Sequence, residues 1–374
     1  MPAHLAILTQ GQTHPLIAKT AVSLLRYRGD EVVGLIDSQA AGATAGALLG
    51  CGGDTPIFAS LDDLIARVGK IDELIVGVAP AGGRMPPDMR QAVLDAAGRG
   101  IDVTAGLHQF LADDAEIVAA VERSGAKLRD VRRNDERTVA DRKGLRPGCL
   151  KIHTVGQDCS CGKMVASVEV ALGLQAAGHD AKFVPTGQTG ILVAPGINNS
   201  LVMSQEERDD PTAGGSPIDC VVADFINGAA ERLIKRNQHH DILVIEGQAT
   251  LVHPSYSSVT YGLLHGTLPD GLILCYEADR PHMHGRPHLP LTPLAKIKQL
   301  YEYVANLEQP PGSACKFIGV AMNSRRLPDD AVVEAERLRV EDELGLPVCD
   351  VYREGPGQLV EAVLALKAEI GKGS

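Results

Sequence analysis

The sequence contains no tryptophan, and aromatic residues make up only 3% of its 374 positions. That leaves little from which to build the aromatic stacking platforms that bind single-stranded nucleic acid. Basic residues are also in deficit, 36 against 47 acidic ones, for a formal net charge of −11. Such a chain has no general attraction for nucleic acid or anionic lipid, so an anion must be met in a local basic or amide-lined pocket. No apolar run approaches the roughly 20 residues of a membrane span. The opening MPAHLAILTQGQTHP lacks a basic n-region and a small-residue cleavage site, so no signal peptide is expected. Eight cysteines in 374 residues are too sparse for a disulfide scaffold. The expectation is a reduced, cytoplasmic protein with no membrane or nucleic-acid partner, and a homo-oligomer on general grounds.

What is present is a globular composition, 44% hydrophobic and 22% charged, in a length that suits two domains. Short apolar runs alternate with helical patterns, the mark of a parallel sheet whose strands are buried on both faces. In residues 1–130 the runs HLAILTQG (4–11), EVVGLIDS (31–38), ELIVGVAP (73–80) and IDVTAGL (101–107) read as strands of a Rossmann-like domain. Its first turn, TQGQTHP (9–15), lacks G-x-G-x-x-G, although Asp37 ends the second strand where a ribose-binding acid sits and VAPAGG (78–83) puts small residues after the third. The charged stretch 131–149 reads as a connection. Residues 150–374 then form a second α/β series: LKIHTVG (150–156), DAKFV (180–184), CVVADF (220–225), DILVIEGQ (241–248), GLILCYEA (271–278), KFIGVAMN (316–323) and LPVCDVY (346–352). The intervening 191–219, 249–270 and 279–293 read as long loops. The fold class is therefore α/β, a Rossmann-like domain followed by a P-loop NTPase-like doubly wound sheet.

The most specific signal is HTVGQDCSCGKM (153–164), a glycine turn between a strand and a helix. Its backbone N–H groups, the helix N-terminus and Lys163 suit a phosphate; the bland alternative is a packing turn. Five residues separate Gly156 from Gly162, one more than in G-x-x-x-x-G-K-[ST], a spacing that resembles the loop of dethiobiotin synthetase and its amidoligase relatives. The position after the lysine, which normally offers a hydroxyl to Mg²⁺, is Met164, a thioether with no useful affinity for a hard cation. A ligand held but not cleaved at its phosphate, such as coenzyme A, fits this change. Asp158 and Ser160 are possible substitute ligands. Cys159 and Cys161 form a C-x-C without the second pair that zinc sites show, and no tightly bound metal is expected.

Ligands of doubly wound sheets bind beyond the C-terminal ends of the strands. Asp224, Glu246 and Glu277 each end an apolar run there, and partial burial raises a carboxyl's pKa toward general-base work. His253 in the loop after Glu246 is a candidate proton shuttle, with Tyr256 close by. RPHMHGRPH (280–288) offers Arg280 and Arg286 to a carboxylate; its H-x-H has no obvious third zinc ligand. TGQTG (186–190), with Gln188, suits a backbone approach to a ligand or an ordinary turn.

The strings GQDCSCGKM, PTGQTG, ADFINGAAE, IEGQATLVHPSYSSVTYGLLHG and LCYEADR resemble a two-domain bacterial and archaeal family of Rossmann-like plus P-loop proteins. One branch is the DgcN-type D-glutamate N-acetyltransferases. The resemblance spans nearly the whole chain and extends to Met164. It implies acetyl transfer from acetyl-CoA, as co-substrate, to the amino group of D-glutamate or a similar acidic amino acid, in D-amino-acid catabolism. On that reading Gly156, Asp158, Cys159, Ser160, Cys161, Gly162, Lys163 and Met164 cradle a CoA phosphate. Asp224 or Glu246, with His253, deprotonates the substrate. Gln188, Tyr256, Glu277, Arg280 and Arg286 line the acceptor side. The competing readings are an ATP/Mg-dependent kinase or ligase of the dethiobiotin-synthetase type and a non-catalytic nucleotide sensor.

Overall fold

The computed structural model describes residues 3–78, 83–202, 210, 212–310 and 313–373. The chain divides into two compact units, 1–133 and 134–374. Residues 79–82, most of the VAPAGG turn, lie outside the described ones.

In the first unit the strands are β1 (Leu5–Leu8), β2 (Val32–Ile36), β3 (Ile57–Phe58), β4 (Glu73–Val76), β5 (Asp102–Ala105) and β6 (Leu128–Asp130). Helices α1 (Lys19–Tyr27), α2 (Ala45–Leu49), α3 (Leu61–Val68), α4 (Pro87–Gly98) and α5 (Ala115–Ser124) connect them. All neighbouring strands are parallel, in the order β3-β2-β1-β4-β5-β6. This is the doubly wound order of Rossmann domains. β1 is buried throughout, which is why its sequence is a continuous apolar run. Helix starts are fixed by side-chain caps: Ser60 accepts the Asp63 N–H, and Asp114 accepts those of Glu116 and Ile117. β6 lies just before the stretch read as a connection and is not among the strands expected for residues 1–130. It is an edge strand, Leu-Arg-Asp, whose residues are all partly buried, so it has no apolar run to announce it.

The second unit has β7 (Leu150–Gly156), β8 (Ala181–Val184), β9 (Ile242–Ile245), β10 (Gly271–Glu277), β11 (His282–Met283), β12 (Arg286–Pro290), β13 (Lys316–Asn323) and β14 (Val348–Cys349). Its helices are α6 (Lys163–Ala176), α7 (Gln188–Ile197), α8 (Ile226–Asn237), α9 (Ser257–Thr267), α10 (Leu294–Asn306), α11 (Asp330–Leu344) and α12 (Gly357–Gly373). The main sheet is parallel, ordered β14-β13-β10-β7-β9-β8. β7 is central, with β10 and β9 on either side, so the loop that leaves its C-terminal end lies in the crevice of a doubly wound sheet. β11 and β12 form a separate antiparallel hairpin.

Sequence expectations fail in this unit at CVVADF and at three stretches read as loops: 191–219, 249–270, which holds α9, and 279–293, which holds β11 and β12. CVVADF is not a strand: Ile218–Cys220 and Ala223–Phe225 are single 3₁₀ turns leading into α8. Its apolar residues serve a helix approach, and a short apolar run does not separate these cases. The stretch 191–219 is not all loop, because α7 runs through Gln188–Ile197 with Pro195 inside it. The charged residues after 133 belong to this unit, where buried Glu231 accepts the Asp141 and Arg142 N–H groups at 3.2 and 2.9 Å.

Candidate active site at the end of the P-loop sheet

The loop begins where β7 ends. Gln157 donates its N–H to Cys275 of β10 at 3.0 Å and its amide Nε2 to Thr292 at 2.9 Å, which fixes the loop's departure. Gly156 has no room for a side chain, since a Cβ there would lie 2.7 Å from Lys163 Nζ. Gly162 has φ +107°, a conformation that favours glycine. α6 starts at Gly162 with no side-chain cap, so its first N–H groups are not taken by one. Lys163 is buried, and its Nζ donates to the Asp158 carbonyl oxygen at 2.6 Å. Cys161 is also buried and its thiol donates to the same oxygen at 3.1 Å. Cys159 and Ser160 are partly exposed, as is Met164 at the second position of α6. The loop is thus a close fold around its own lysine, with amides and partly exposed side chains at its mouth.

Asp158 is fully buried. Its Oδ2 accepts from the His284 N–H at 2.6 Å and from Arg280 at 3.1 Å, while Oδ1 has no partner. The His284 contact explains RPHMHGRPH: the β11–β12 hairpin, turning at Gly285, supplies a backbone N–H to the loop. His282, His284 and His288 themselves are exposed. Arg280 spans the site, donating to Asp158, to the Cys159 carbonyl at 3.1 Å and to Glu277 at 2.8 Å. Glu277, buried at the end of β10, is held again by Arg325. Both terminal nitrogens of Arg280 are therefore committed, and only its buried Nε is unpartnered. Arg286 is partly exposed and bonds the Ser255 hydroxyl. A cavity of about 340 Å³ adjoins these groups, lined by Gln157, Glu277, Arg280, Glu336, Arg339 and Glu343 among others.

Glu246 ends β9, the other neighbour of β7. It is 4% exposed, and its Oε2 accepts the N–H groups of Thr186 and Gly187 at 2.8 and 3.0 Å, just before α7. Burial raises its carboxyl from the ordinary range to about 7, against the opposing pull of those two N–H groups. That places the proton exchange of this group at neutral pH. Gln188 opens α7 beside it, with a buried Oε1 that has no partner.

Asp224 is not part of this arrangement. It lies exposed on the 3₁₀ turn before α8 and ends no strand. His253 is buried, stacked on half-exposed Tyr256 at 4.7 Å, and its Nδ1 accepts the Ser255 N–H at 3.1 Å. Atoms of Asp158, Cys159 and His253 approach within 4.8 Å of one another, which brings the His253 ring to the loop.

Two contributors escaped sequence reading. Tyr301 of α10 is fully buried, and its hydroxyl reaches the Gly156 carbonyl at 3.3 Å and accepts the Leu251 N–H at 3.2 Å. Arg325 follows β13 and clamps Glu277. In sequence Tyr301 is one apolar position of an amphipathic helix and Arg325 one of two adjacent arginines, so neither carries a motif.

A Rossmann-ordered unit followed by a parallel sheet with a glycine-lysine loop at its central strand defines a two-domain α/β protein of the P-loop class. Family models agree in both halves: a Rossmann-like domain, DUF1611_N, matches residues 38–134, and the P-loop domain DUF1611_C matches 138–206 and 210–360. The chain belongs to this family. Two curated relatives, both named D-glutamate N-acetyltransferase, match over nearly their whole lengths. The one from Tritonibacter scottomollicae is 35% identical over 94% of this chain and 95% of its own. The one from a Pseudoalteromonas species is 29% identical over 93% and 95%. A solved structure of a DUF1611 family protein from Anabaena variabilis superposes with a TM-score of 0.84 at 32% identity, covering 96% of this chain and 99% of that one. Among the described residues no helix is long and apolar enough to cross a membrane.

Proposed function

We propose that this protein is an N-acetyltransferase that moves the acetyl group of acetyl-CoA to the amino group of D-glutamate or a similar acidic amino acid, as a step in D-amino-acid catabolism. The names of its full-length relatives support the reaction class. The observation that carries the chemistry is Glu246, a buried strand-end carboxyl poised at about 7 beside the P-loop.

An amino acid's ammonium is not a nucleophile. Its amine titrates above neutrality, so a base must take the proton. Ionised Glu246 takes it. The amine nitrogen then attacks the thioester carbonyl, a C–N bond forms, the C–S bond breaks, and CoA leaves as a thiolate that takes up the proton the nitrogen gives up in becoming an amide. Gly156 to Met164 hold a CoA phosphate through loop amides, the α6 N-terminus and Lys163. Met164 costs this reaction nothing, because no phosphoryl group moves and no Mg²⁺ hydroxyl ligand is needed. Gln188, Tyr256, Glu277, Arg280 and Arg286 form the acceptor side, with Arg286 and the free Arg280 Nε–H facing the substrate carboxylates. We place the enzyme in the cytoplasm as a homo-oligomer.

The test is release of free CoA thiol from acetyl-CoA. D-glutamate is the acceptor, with L-glutamate, D-aspartate and no acceptor as controls, each with and without EDTA. Release that needs D-glutamate and survives EDTA is the expected result. Silence with every acceptor, together with ADP release from ATP and Mg²⁺, would replace this reading with the kinase or ligase one.

A further inference from the structure

Asp158, Cys159 and His253 bring an acid, a thiol and an imidazole within 4.8 Å of one another, a combination that zinc accepts with one position left open. The hydrogen bonding of His253 argues for a different use. Its Nδ1 accepts the Ser255 N–H at 3.1 Å. A backbone N–H can only donate, so Nδ1 presents its lone pair, and the tautomer assigned from this contact carries its proton on Nε2. A cation on Nε2 would drive that proton to Nδ1 and set two N–H groups head to head. The same arrangement removes Nε2 as a proton acceptor, so the ring is not the shuttle its sequence position suggests. What it offers is one donor. The ring is 2% exposed and stacked nearly parallel on Tyr256, so that donor is held in place.

The loop beside it is built for an acceptor of such a bond. α6 begins without a side-chain cap, and Lys163 brings a cation to the same few residues. The charges facing His253 are Asp158 from the loop, Lys163 from α6 and Arg286 from β12. Asp158 receives Arg280 and the His284 N–H at Oδ2, while its Oδ1 has no partner. Burial disfavours protonation of the ring, and the two cations oppose it further against the pull of Asp158.

We propose that His253 is a phosphate-binding residue: its Nε2–H donates to a phosphate oxygen of the ligand in the 156–164 loop, and the ring stays neutral while doing so. The ligand is acetyl-CoA on the reading above, and the proposal rests on that reading for the ligand's name. A neutral imidazole fixed by a backbone N–H to its other nitrogen is an established way of presenting an uncharged donor.

The experiment measures binding of CoA and of inorganic pyrophosphate to the full chain by calorimetry, for wild type, His253→Ala and His253→Gln. Steady-state kinetics and ¹⁵N NMR of the histidines accompany it. Loss of a bond to a charged acceptor should weaken both ligands by about 10-fold or more in the alanine variant. The KM for acetyl-CoA should rise while kcat at saturation holds, and glutamine, which keeps a donor, should recover much of the affinity. The ring should show the Nε2–H tautomer at pH 8 and take up a proton only at lower pH than a free imidazole. Unchanged pyrophosphate affinity in His253→Ala overturns the proposal. So does a fall in kcat at constant KM, which would move the residue to the acetyl carbonyl, or stoichiometric zinc that requires both Cys159 and His253. Should D-glutamate fail to release CoA while pyrophosphate binding still depends on His253, the acetyltransferase reading falls and the phosphate donor stands.

Discussion

The two sheets are built by the same rule and finish differently. In the first unit the polar groups beyond the strand ends satisfy one another. Asp37, after β2, accepts from the Thr13 hydroxyl at 2.5 Å and the Gln39 N–H at 2.9 Å, Thr9 pairs with Thr13 at 2.8 Å, and Gln10 pairs with Ser38. In the second unit the corresponding end leaves work undone. Three buried side-chain polar atoms there have no partner among the described residues: Asp158 Oδ1, Gln188 Oε1 and Arg280 Nε. An unpaired buried polar group costs about 1–3 kcal/mol, and folding alone does not explain keeping several around one crevice. On the proposed function the end of the second sheet is completed by a ligand, whereas the first is closed by its own side chains.

The sharpest way to break this contrast is to disarm the second site. Replacing Glu246 with Gln keeps the oxygen that accepts the Thr186 and Gly187 N–H groups and removes the base. We expect kcat to fall by about 10² to 10⁴, the usual worth of a positioned general base. In wild type kcat/KM should climb as pH rises through about 7, because the ionised form of Glu246 does the work; the Gln variant should lose that limb. An unaltered pH profile in the variant would assign the base elsewhere. Lys163→Ala comes next. Its cation is buried within the loop, so a charge-assisted contact to phosphate is worth ~3 kcal/mol, about 100-fold in kcat/KM, expressed through the KM for acetyl-CoA. An unchanged KM would take Lys163 out of the CoA site.

How much of this could be read beforehand followed from how each part is held. β7 and β13 occupy the residues their mainly apolar runs mark, because strands buried on both faces are rich in apolar residues. The P-loop was legible because a strand, glycines and a lysine at fixed spacing are a local pattern. Glu246 and Glu277 were legible as acids ending apolar runs. Asp224 satisfied the same pattern and stands exposed on a turn, because CVVAD leads into a helix. β6 and α7 were lost where an edge strand is half polar and a helix contains Gly190 and Pro195. The partners of the site could not be read at all. That Arg280 is spent on Asp158 and Glu277, that Arg325 joins it, and that His253 faces a backbone N–H are facts of tertiary distance.

A smaller effect separates the structural cost of Glu246 from its chemistry. Its folded pKa of about 7 lies above the ordinary 4.5. Between those values the folded protein binds a proton that the unfolded chain has released, so stability declines as pH rises from about 4.5 and levels off above about 7. The full difference is of order 3 kcal/mol. Glu246→Gln has no such titration. Its melting temperature relative to wild type should therefore increase between pH 5 and pH 8, and a constant difference would mean that the carboxyl is not held neutral by burial.

The smallest expected effect on activity comes from the first unit. Asp37 is 1% exposed and receives a hydroxyl and a backbone N–H, so Asp37→Asn, whose amide cannot accept at both oxygens, should cost about 1–2 kcal/mol of stability. Chemical denaturation should show that loss. Because those bonds close on the unit itself, kcat/KM for acetyl transfer should stay within about twofold. A KM for acetyl-CoA that rises with the Asn variant, with the protein still folded, would mean that the end of β2 holds part of the ligand. Asp37 would then be a ribose-binding acid after all, and the contrast between a closed sheet end and an open one would fail at the residue where it is most clearly drawn.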